Sequence, residues 1–227
     1  LRSSVDVTFL CSVTRLPFAV ELWHAWFCNF VNILIAMTNT ETIMQDMSPA
    51  AEAIIELPAN THIVYSSQAD ALNHALLDGF FTHQHDPDIK RSHLFNGRYE
   101  NIYLTSEQIP ELGDLLDEAL DHARRLLNID DLQAGCWFNF MPPGSVTSVH
   151  SHDDYDELMS AVYYVSVPQN SGKLIIHKDN KQHVITPQQG MFVFFAPDVV
   201  HGVSENMSSD DRLSIAINFG RRKIAGD

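Results

Sequence analysis

The sequence predicts a mainly β protein with N-terminal helices, an α+β chain whose second half forms a jelly roll or barrel. Short runs of β-forming residues follow one another after residue 131, and turn-forming residues separate them about every ten to fifteen residues. This rhythm is typical of an antiparallel jelly roll and not of alternating βαβ units. Two amphipathic segments precede these runs, and a chain of 227 residues, 45% of them hydrophobic, can bury one substantial core.

The first helix is predicted over Ser67–Phe81, where apolar residues recur at helical spacing and Ser67 and Asp70 are placed like a capping box. The second is predicted over Pro110–Leu127, where eight Leu and Ala residues form one stripe and Pro110 suits the first turn. The segment between them contains the turn signals Asp86-Pro87 and Asn96-Gly97. It is therefore expected to form a surface loop with a short strand.

Six β-rich runs predict the strands of the β-domain, and Gly, Pro, Asn and Asp clusters separate them. They cover residues 136–141, 158–167, 172–177, 183–186, 191–196 and 213–219.

The first 36 residues differ from the rest, because they contain two of the three tryptophans and very few charges. Glu21, His24 and Asn29 interrupt an apolar stretch that is already short for a bilayer, which argues against a membrane span. The favoured interpretation is that the native protein starts at Met37. The domain organisation expected on this basis is an upstream extension (1–36) and a single domain (37–227), with helical support (37–130) and a β core (131–221).

The charge balance excludes several classes of partner. The chain carries 14 basic and 29 acidic side chains, a formal net charge of −15, and its longest basic run is Arg221–Lys223. Neither nucleic acid nor a membrane is expected as a partner, because both demand a basic surface. Three cysteines at long spacing do not resemble a disulfide framework, which favours a reducing, cytoplasmic location. The oligomeric state stays open, with a homodimer as one alternative.

The densest group of ligand-type residues is the segment "VHSHDDYDE" at 149–157. In an extended chain residues two apart project to the same side, so His152 and Asp154 would present an imidazole and a carboxylate to one point. His201, about fifty residues downstream after a strongly apolar run, would add a third donor. Two histidines and one carboxylate hold Fe(II) and leave the opposite coordination positions open.

The segment "RLSIAINF" predicts a strand with two different faces. Apolar Leu213 and Ile215 alternate with Arg212 and Ser214, so one face would pack on the core and the other would line a cavity. An arginine inside a barrel needs an anion. A guanidinium with a hydroxyl two residues further on suits bidentate binding of one carboxylate of a small dicarboxylate.

Taken together, residues 135–220 resemble the 2-oxoglutarate- and Fe(II)-dependent oxygenases, particularly the prolyl-hydroxylase-like branch and its bacterial relatives. The resemblance rests on His152-x-Asp154, the distal His201 and Arg212-x-Ser214, with the supporting phrases "SAVYYV", "NSGKLIIH" and "RLSIAIN" between and around them. It implies a double-stranded β-helix, a cupin-like jelly roll, braced by helices.

The resemblance also implies the site residues and the reaction. His152, Asp154 and His201 would be iron ligands, and Arg212 with Ser214 would hold the distal carboxylate of 2-oxoglutarate. Tyr163 would contact the same carboxylate, or Tyr164 if that side chain faces inward. The enzyme would use Fe(II), the co-substrate 2-oxoglutarate and O₂ to hydroxylate a small molecule or a peptide, with peptidyl proline as the first candidate, and would release succinate and CO₂. Residues 92–103 would line the approach.

Two alternatives remain open from the sequence. Counting from Gly144 makes His150 and His152 the proximal ligands and leaves no carboxylate, whereas alignment on "SAVYYV" selects His152 and Asp154. Gly144, His150, His152 and Glu157 also fall at the spacing of the first cupin motif. The alternative function is therefore a cupin-type metal-binding or ligand-sensing protein without 2-oxoglutarate turnover. Arg212-x-Ser214 separates the two functions, because a cupin metal site does not require it.

Overall fold

The computed structural model describes residues 57–58, 60–152 and 156–222, so the expectations for residues 1–36 and for a start at Met37 lie outside the described residues. The described part contains two helices, α1 (Ala69–His83) and α2 (Glu111–Leu127). Its eleven strands are β1 (His62–Tyr65), β2 (Arg91–Phe95), β3 (Arg98–Ile102), β4 (Leu132–Met141), β5 (Thr147–His150), β6 (Glu157–Ser166), β7 (Leu174–Lys178), β8 (Lys181–Ile185), β9 (Met191–Phe195), β10 (Val200–Val203) and β11 (Arg212–Arg221).

The strands form two antiparallel sheets. The larger sheet has seven strands in the order β1-β9-β6-β11-β4-β3-β2, and the smaller has four in the order β5-β10-β7-β8. A set of buried side chains from both sheets, including Tyr164, Leu174, Ile176 and Phe195, packs together. The predicted mainly β architecture with N-terminal helices is therefore confirmed, and all six predicted strands are present with shifted ends.

Strand β11 occupies the middle of the large sheet and separates two environments. Leu213, Ile215, Ile217 and Phe219 are at most 1% exposed and join a core that also contains buried residues of both helices. Ser214 faces the other way and lies between Asn139 of β4 and Tyr164 of β6. The two-faced strand predicted from the alternation is confirmed.

The helices match the predicted segments, but their first turns differ from the prediction. No side chain caps α1, and the Gln68 backbone N–H donates a hydrogen bond to Oγ of Ser66, so Ser67 and Asp70 do not form a capping box. Pro110 stands at the N-cap of α2, and Asn128 ends that helix in the left-handed conformation at φ 54°.

The segment between the helices is more regular than predicted. It folds into the hairpin β2–β3, whose turn residues Asn96 and Gly97 both have positive φ, 48° and 77°. Positive φ at both positions is typical of the tight turn whose twist matches the flanking strands. Strands β1, β5 and β10, four residues each, were not predicted.

Neither helix of the described residues is long and apolar enough to cross a membrane.

The packing of α2 on the large sheet can be tested with two leucines of opposite exposure. Leu115 of α2 is 0% exposed, whereas Leu94 of β2 is 64% exposed. Leu115→Ala should lower the free energy of unfolding by about 2–5 kcal/mol, because it leaves a cavity in the core. Leu94→Ala should change it by about 0.5 kcal/mol or less. Urea denaturation measures both, and equal losses would contradict the described packing.

Candidate metal centre

Two histidines of the small sheet and a third histidine just after strand β5 converge at one point. His150 ends β5, His152 follows two residues later, and His201 lies in the neighbouring strand β10, where the antiparallel register places it opposite His150. One ring nitrogen of each histidine lies within 4.8 Å of the other two. The ring centroids are 4.5 Å apart for His150 and His201 and 4.9 Å apart for His150 and His152. Small side-chain rotations would bring all three nitrogens onto one ion.

Backbone carbonyls fix two of these rings in the orientation that metal-bound histidines have. Nδ1 of His150 lies 2.7 Å from the carbonyl oxygen of Ser148, and Nδ1 of His201 lies 2.9 Å from that of Val199. A carbonyl only accepts hydrogen bonds, so each Nδ1 carries a proton, and in the neutral ring it is then Nε2 that keeps its lone pair. Both Nε2 atoms are therefore available as ligands.

His201 is held in the neutral form that binds metals. It is 7% exposed, and burial lowers its pKa to about 3, with the neighbouring His150 and His152 adding to the effect. A neutral imidazole needs no deprotonation before it coordinates an ion. Phe195 packs against its ring with the centroids 4.7 Å apart, which keeps water from this side of the cluster.

The predicted carboxylate ligand Asp154 lies outside the described residues, so its role stays a prediction. Within the described residues the third member of the cluster is His150, which corresponds to the alternative reading counted from Gly144. Glu157 lines the same cavity and its Oε2 is buried without a hydrogen-bond partner among the described residues. Glu157 is nevertheless not a member of the histidine cluster.

The histidines open into a cavity of about 400 Å³ between the two sheets. Its wall on the large sheet consists of side chains that the antiparallel register places on one face, among them Trp137 and Asn139 of β4 and Ser214, Ala216 and Asn218 of β11. The hairpin β2–β3 and the residue after it supply His93, Glu100, Asn101 and Tyr103. Four residues of the segment 92–103 thus line the cavity, and the predicted role of this segment in the approach of a substrate stays a prediction.

Arg212 contributes a buried positive charge to this cavity. Its side chain is 0% exposed, Nη1 donates to the Ser171 carbonyl oxygen at 3.2 Å, and Nε has no hydrogen-bond partner in the part of the chain that the structure describes. No carboxylate among the described residues forms a salt bridge with it, although Asp210 and Asp211 are near in sequence. Burial lowers its pKa from the ordinary value. A buried guanidinium with spare donors and no counter-charge is a site for an anion.

The loop before β7 is shaped to hold the guanidinium. Gly172 has φ +94°, and a Cβ atom there would overlap the Ser204 carbonyl oxygen and lie 3.2 Å from Nη1 of Arg212. Glycine therefore allows the loop to pass close to Arg212 and present the Ser171 carbonyl.

Tyr164, and not Tyr163, faces Arg212. The Tyr164 ring centroid lies 5.3 Å from Cζ of Arg212, its hydroxyl makes no hydrogen bond within the usual distance to a described residue, and burial raises its pKa to about 12. Tyr163 belongs to the core under the helices, and its ring packs on Phe192 with the centroids 4.5 Å apart. This geometry moves the predicted contact with the carboxylate from Tyr163 to Tyr164. Ser214 is 4% exposed and lines the cavity together with Arg212.

Some cavity residues were not singled out from the sequence as site residues. Trp137 stacks obliquely on His152 with the centroids 5.6 Å apart, and its ring lies 6.3 Å from that of Tyr103. The sequence signal for Trp137 was its position two residues before Asn139 in a predicted strand, because side chains two residues apart lie on the same face of a strand. Glu100 lies in the segment 92–103 that was expected to line the approach, but no local pattern singles it out within that segment, because its contacts with the site depend on Ser148, 48 residues away.

Comparison with known proteins finds a family of oxygenases that part of the chain resembles. Residues 135–218 match the family model described as "Putative 2OG-Fe(II) oxygenase". No curated protein matches the chain in sequence.

Similar solved structures agree with the family match. A Pseudomonas putida prolyl-4-hydroxylase is 23% identical with a TM-score of 0.58, over 72% of this chain and 94% of that one. A prolyl hydroxylase of Trichoplax adhaerens, solved with a hypoxia inducible factor peptide, is 15% identical with a TM-score of 0.57, over 71% and 84%. The non-heme α-ketoglutarate-dependent carbocyclase SnoK of nogalamycin biosynthesis is 13% identical with a TM-score of 0.59, over 71% and 79%. These likenesses show the fold, a double-stranded β-helix, and with the family match they confirm the predicted resemblance.

The two ligand sets are distinguished by two substitutions. If the three described histidines bind the ion, His150→Ala should weaken Co(II) binding by more than the 10–100-fold that loss of an outer-shell partner costs, and Asp154→Asn should have a smaller effect. Equilibrium titration against a competing chelator measures both affinities, and His74→Ala, which changes an exposed histidine of α1, is the control. The reverse order of losses would favour the ligand set with Asp154.

Proposed function

We propose that this chain, which matches the 2OG-Fe(II) oxygenase family over residues 135–218, is a 2-oxoglutarate- and Fe(II)-dependent dioxygenase that hydroxylates a bound substrate. The observation that carries the proposal is the buried Arg212, which has no carboxylate partner among the described residues and lies in the same cavity as the histidine cluster. A metal-binding module alone needs no such cation, whereas a dicarboxylate co-substrate does.

His150, His152 and His201 would hold the iron, since imidazole nitrogens suit Fe(II) and the cluster leaves its cavity side open. When bound, Fe(II) brings 2-oxoglutarate and O₂ together, so that oxidative decarboxylation to succinate and CO₂ is coupled to hydroxylation of the substrate. The protein's share of this chemistry is to orient the reactants and to exclude bulk water.

Arg212, Tyr164 and Ser214 would bind the distal carboxylate of 2-oxoglutarate. The guanidinium offers a planar pair of N–H donors that matches a carboxylate, and the two hydroxyls can each donate one further bond. Tyr164 keeps its proton because burial raises its pKa to about 12, so its hydroxyl is a donor at neutral pH. All three side chains are buried, which strengthens these bonds by removing competing water.

The substrate is proposed to be a peptidyl proline or a small molecule with a comparable ring. Two of the similar structures are prolyl hydroxylases and one is a carbocyclase, all at identities that indicate only the fold, so this step rests on analogy. The aromatic rings of Trp137 and Tyr103 in the cavity wall support it, because they offer an apolar surface for a compact ring. The cysteine pattern makes a cytoplasmic enzyme the corresponding proposal.

A cupin-type metal protein without turnover is the second candidate. The observation that favours it is that His150, His152 and Glu157, three of the four residues at the spacing of the first cupin motif, line the cavity together with His201. This candidate assigns no role to Arg212, so the two functions make different predictions for that residue.

Arg212→Gln should raise the KM for 2-oxoglutarate about 30-fold or more, because truncating one partner of a buried charged pair costs about 2–5 kcal/mol. Metal affinity should stay within about twofold of the wild-type value, because Arg212 is not a member of the histidine cluster. Succinate release from Fe(II)-loaded protein measures the KM. Turnover that is insensitive to this substitution would refute the assigned role of Arg212, and no succinate from the wild-type protein with any candidate substrate would favour the cupin-type function.

The two neighbouring tyrosines provide a matched pair. Tyr164→Phe should raise the KM for 2-oxoglutarate about tenfold or more, because a hydrogen bond to a charged group contributes about 1.5–3 kcal/mol. Tyr163→Phe removes the same hydroxyl on the helix side of the sheet and should leave the KM unchanged. Equal effects of the two substitutions on the KM would contradict the described orientation of β6.

A further inference from the structure

Glu100 is a buried carboxylate that the proposed function does not use. It lies in β3 and is 4% exposed. Oε1 accepts a hydrogen bond from the Ser148 backbone N–H at 3.0 Å, and Oε2 accepts one from the Ser148 hydroxyl at 2.7 Å. Both oxygens of one buried carboxylate are thus directed at one residue of β5, 48 positions away in the chain.

Ser148 in turn holds a member of the histidine cluster. Its carbonyl oxygen is the acceptor for Nδ1 of His150 at 2.7 Å. The hydrogen bonds therefore run without a break from Glu100 through Ser148 to the ring of His150. Whatever fixes the Ser148 peptide also fixes the direction of Nε2 on the far side of that ring.

The position of Ser148 explains why it needs such an anchor. β5 is an edge strand of the small sheet and pairs only with β10. The register between them shifts between the pairs Val203–Thr147 and His201–His150, so Ser148 and Val149 stand opposite the single residue Gly202. An edge strand with a bulge is held weakly by its ladder. Glu100 supplies a second attachment from the other sheet.

Arg98 makes the buried charge of Glu100 tolerable. Its Nη2 lies 3.3 Å from Oε1 of Glu100 and donates to the Val146 carbonyl at 2.7 Å, and Nη1 donates to the Phe140 carbonyl at 3.0 Å. These bonds neutralise the carboxylate and connect it to the chain on both sides of the turn between β4 and β5. A buried carboxylate without such a partner would be strongly destabilising.

For His201, the backbone fixes the orientation of the ring without a carboxylate. Its acceptor is the carbonyl of Val199, whose N–H is bonded to the Ala196 carbonyl in a turn. His201 also sits in an inner strand, since β10 is paired with both β5 and β7. Of these two rings, that of His150 lies on the edge strand, and its acceptor residue Ser148 is held by the carboxylate of Glu100.

We propose that Glu100 is a positioning residue of the metal centre: it fixes Ser148 so that the Ser148 carbonyl aims the His150 ring at the shared ion. This inference rests on the proposed function for the identity of the metal site. It predicts that Glu100 sets metal affinity and ligand geometry without touching the ion or the co-substrate.

The test compares Glu100→Gln with Glu107→Gln, an exposed glutamate outside the site. The amide cannot accept both Ser148 hydrogen bonds, because its NH₂ end only donates. Glu100→Gln should lower Co(II) affinity about 10–100-fold and change the visible absorption spectrum of the bound Co(II), whereas Glu107→Gln should do neither. Ser148→Ala removes only the hydroxyl contact and should give a smaller loss in the same direction.

Thermal unfolding of the metal-free variants separates positioning from simple support of the fold. Wild-type affinity and spectrum in Glu100→Gln would overturn the inference, as would a lower melting temperature with an unchanged Co(II) spectrum. If Glu100→Gln does not fold, Ser148→Ala decides: weaker Co(II) binding supports the inference and unchanged binding rejects it. Wild-type protein that binds Co(II) but forms no succinate would reject the proposed reaction and leave this test intact, whereas wild-type protein that binds no Co(II) would reject both.

Discussion

Burying a guanidinium costs several kcal/mol unless an anion or a set of carbonyl oxygens compensates for the lost water. Among the described residues, the Arg212 guanidinium donates one hydrogen bond, to the Ser171 carbonyl oxygen, and its Nε has no hydrogen-bond partner. The surrounding structure accommodates this charge: Gly172 clears space for it and Tyr164 presents a hydroxyl beside it. The anionic ligand proposed above would supply the compensation that this charge lacks among the described residues.

The large sheet separates this cavity from the helical layer, and its strands serve both sides. Tyr163 and Tyr164 are adjacent in β6, yet one packs on the ring of Phe192 and the other faces Arg212. A shift of β11 by one residue would turn Arg212 into the helical core and Leu213 into the cavity. The apolar packing of the helices therefore fixes the register on which the site depends, and the core and the site cannot vary independently.

The sequence predicts the part of the site that local alternation specifies. Arg212 and Ser214 stand on a strand whose other face is regularly apolar, so their common orientation follows from the pleat. The two tyrosines of β6 could not be told apart, because that strand is buried on both faces and its pattern does not alternate. His150 was left as an alternative to Asp154 because its place depends on the pairing of β5 with β10, two four-residue strands with no local signal. Glu100 depends on a contact across 48 residues and has no local signature.

The charge of the cavity also bears on the kind of co-substrate. The described cluster consists of three imidazoles, which are neutral when they bind, so the full charge of a divalent ion would remain, with Arg212 as a further positive charge in the same cavity. Glu100 does not offset these charges, because Arg98 already compensates it. Among the described acidic residues that line the cavity this leaves Glu157, whose single negative charge would not balance them. A dianion does so far better than a monoanion or a neutral ligand. The histidine cluster and Arg212, which has no carboxylate partner among the described residues, are separate observations on different strands, and both support the proposed dicarboxylate co-substrate.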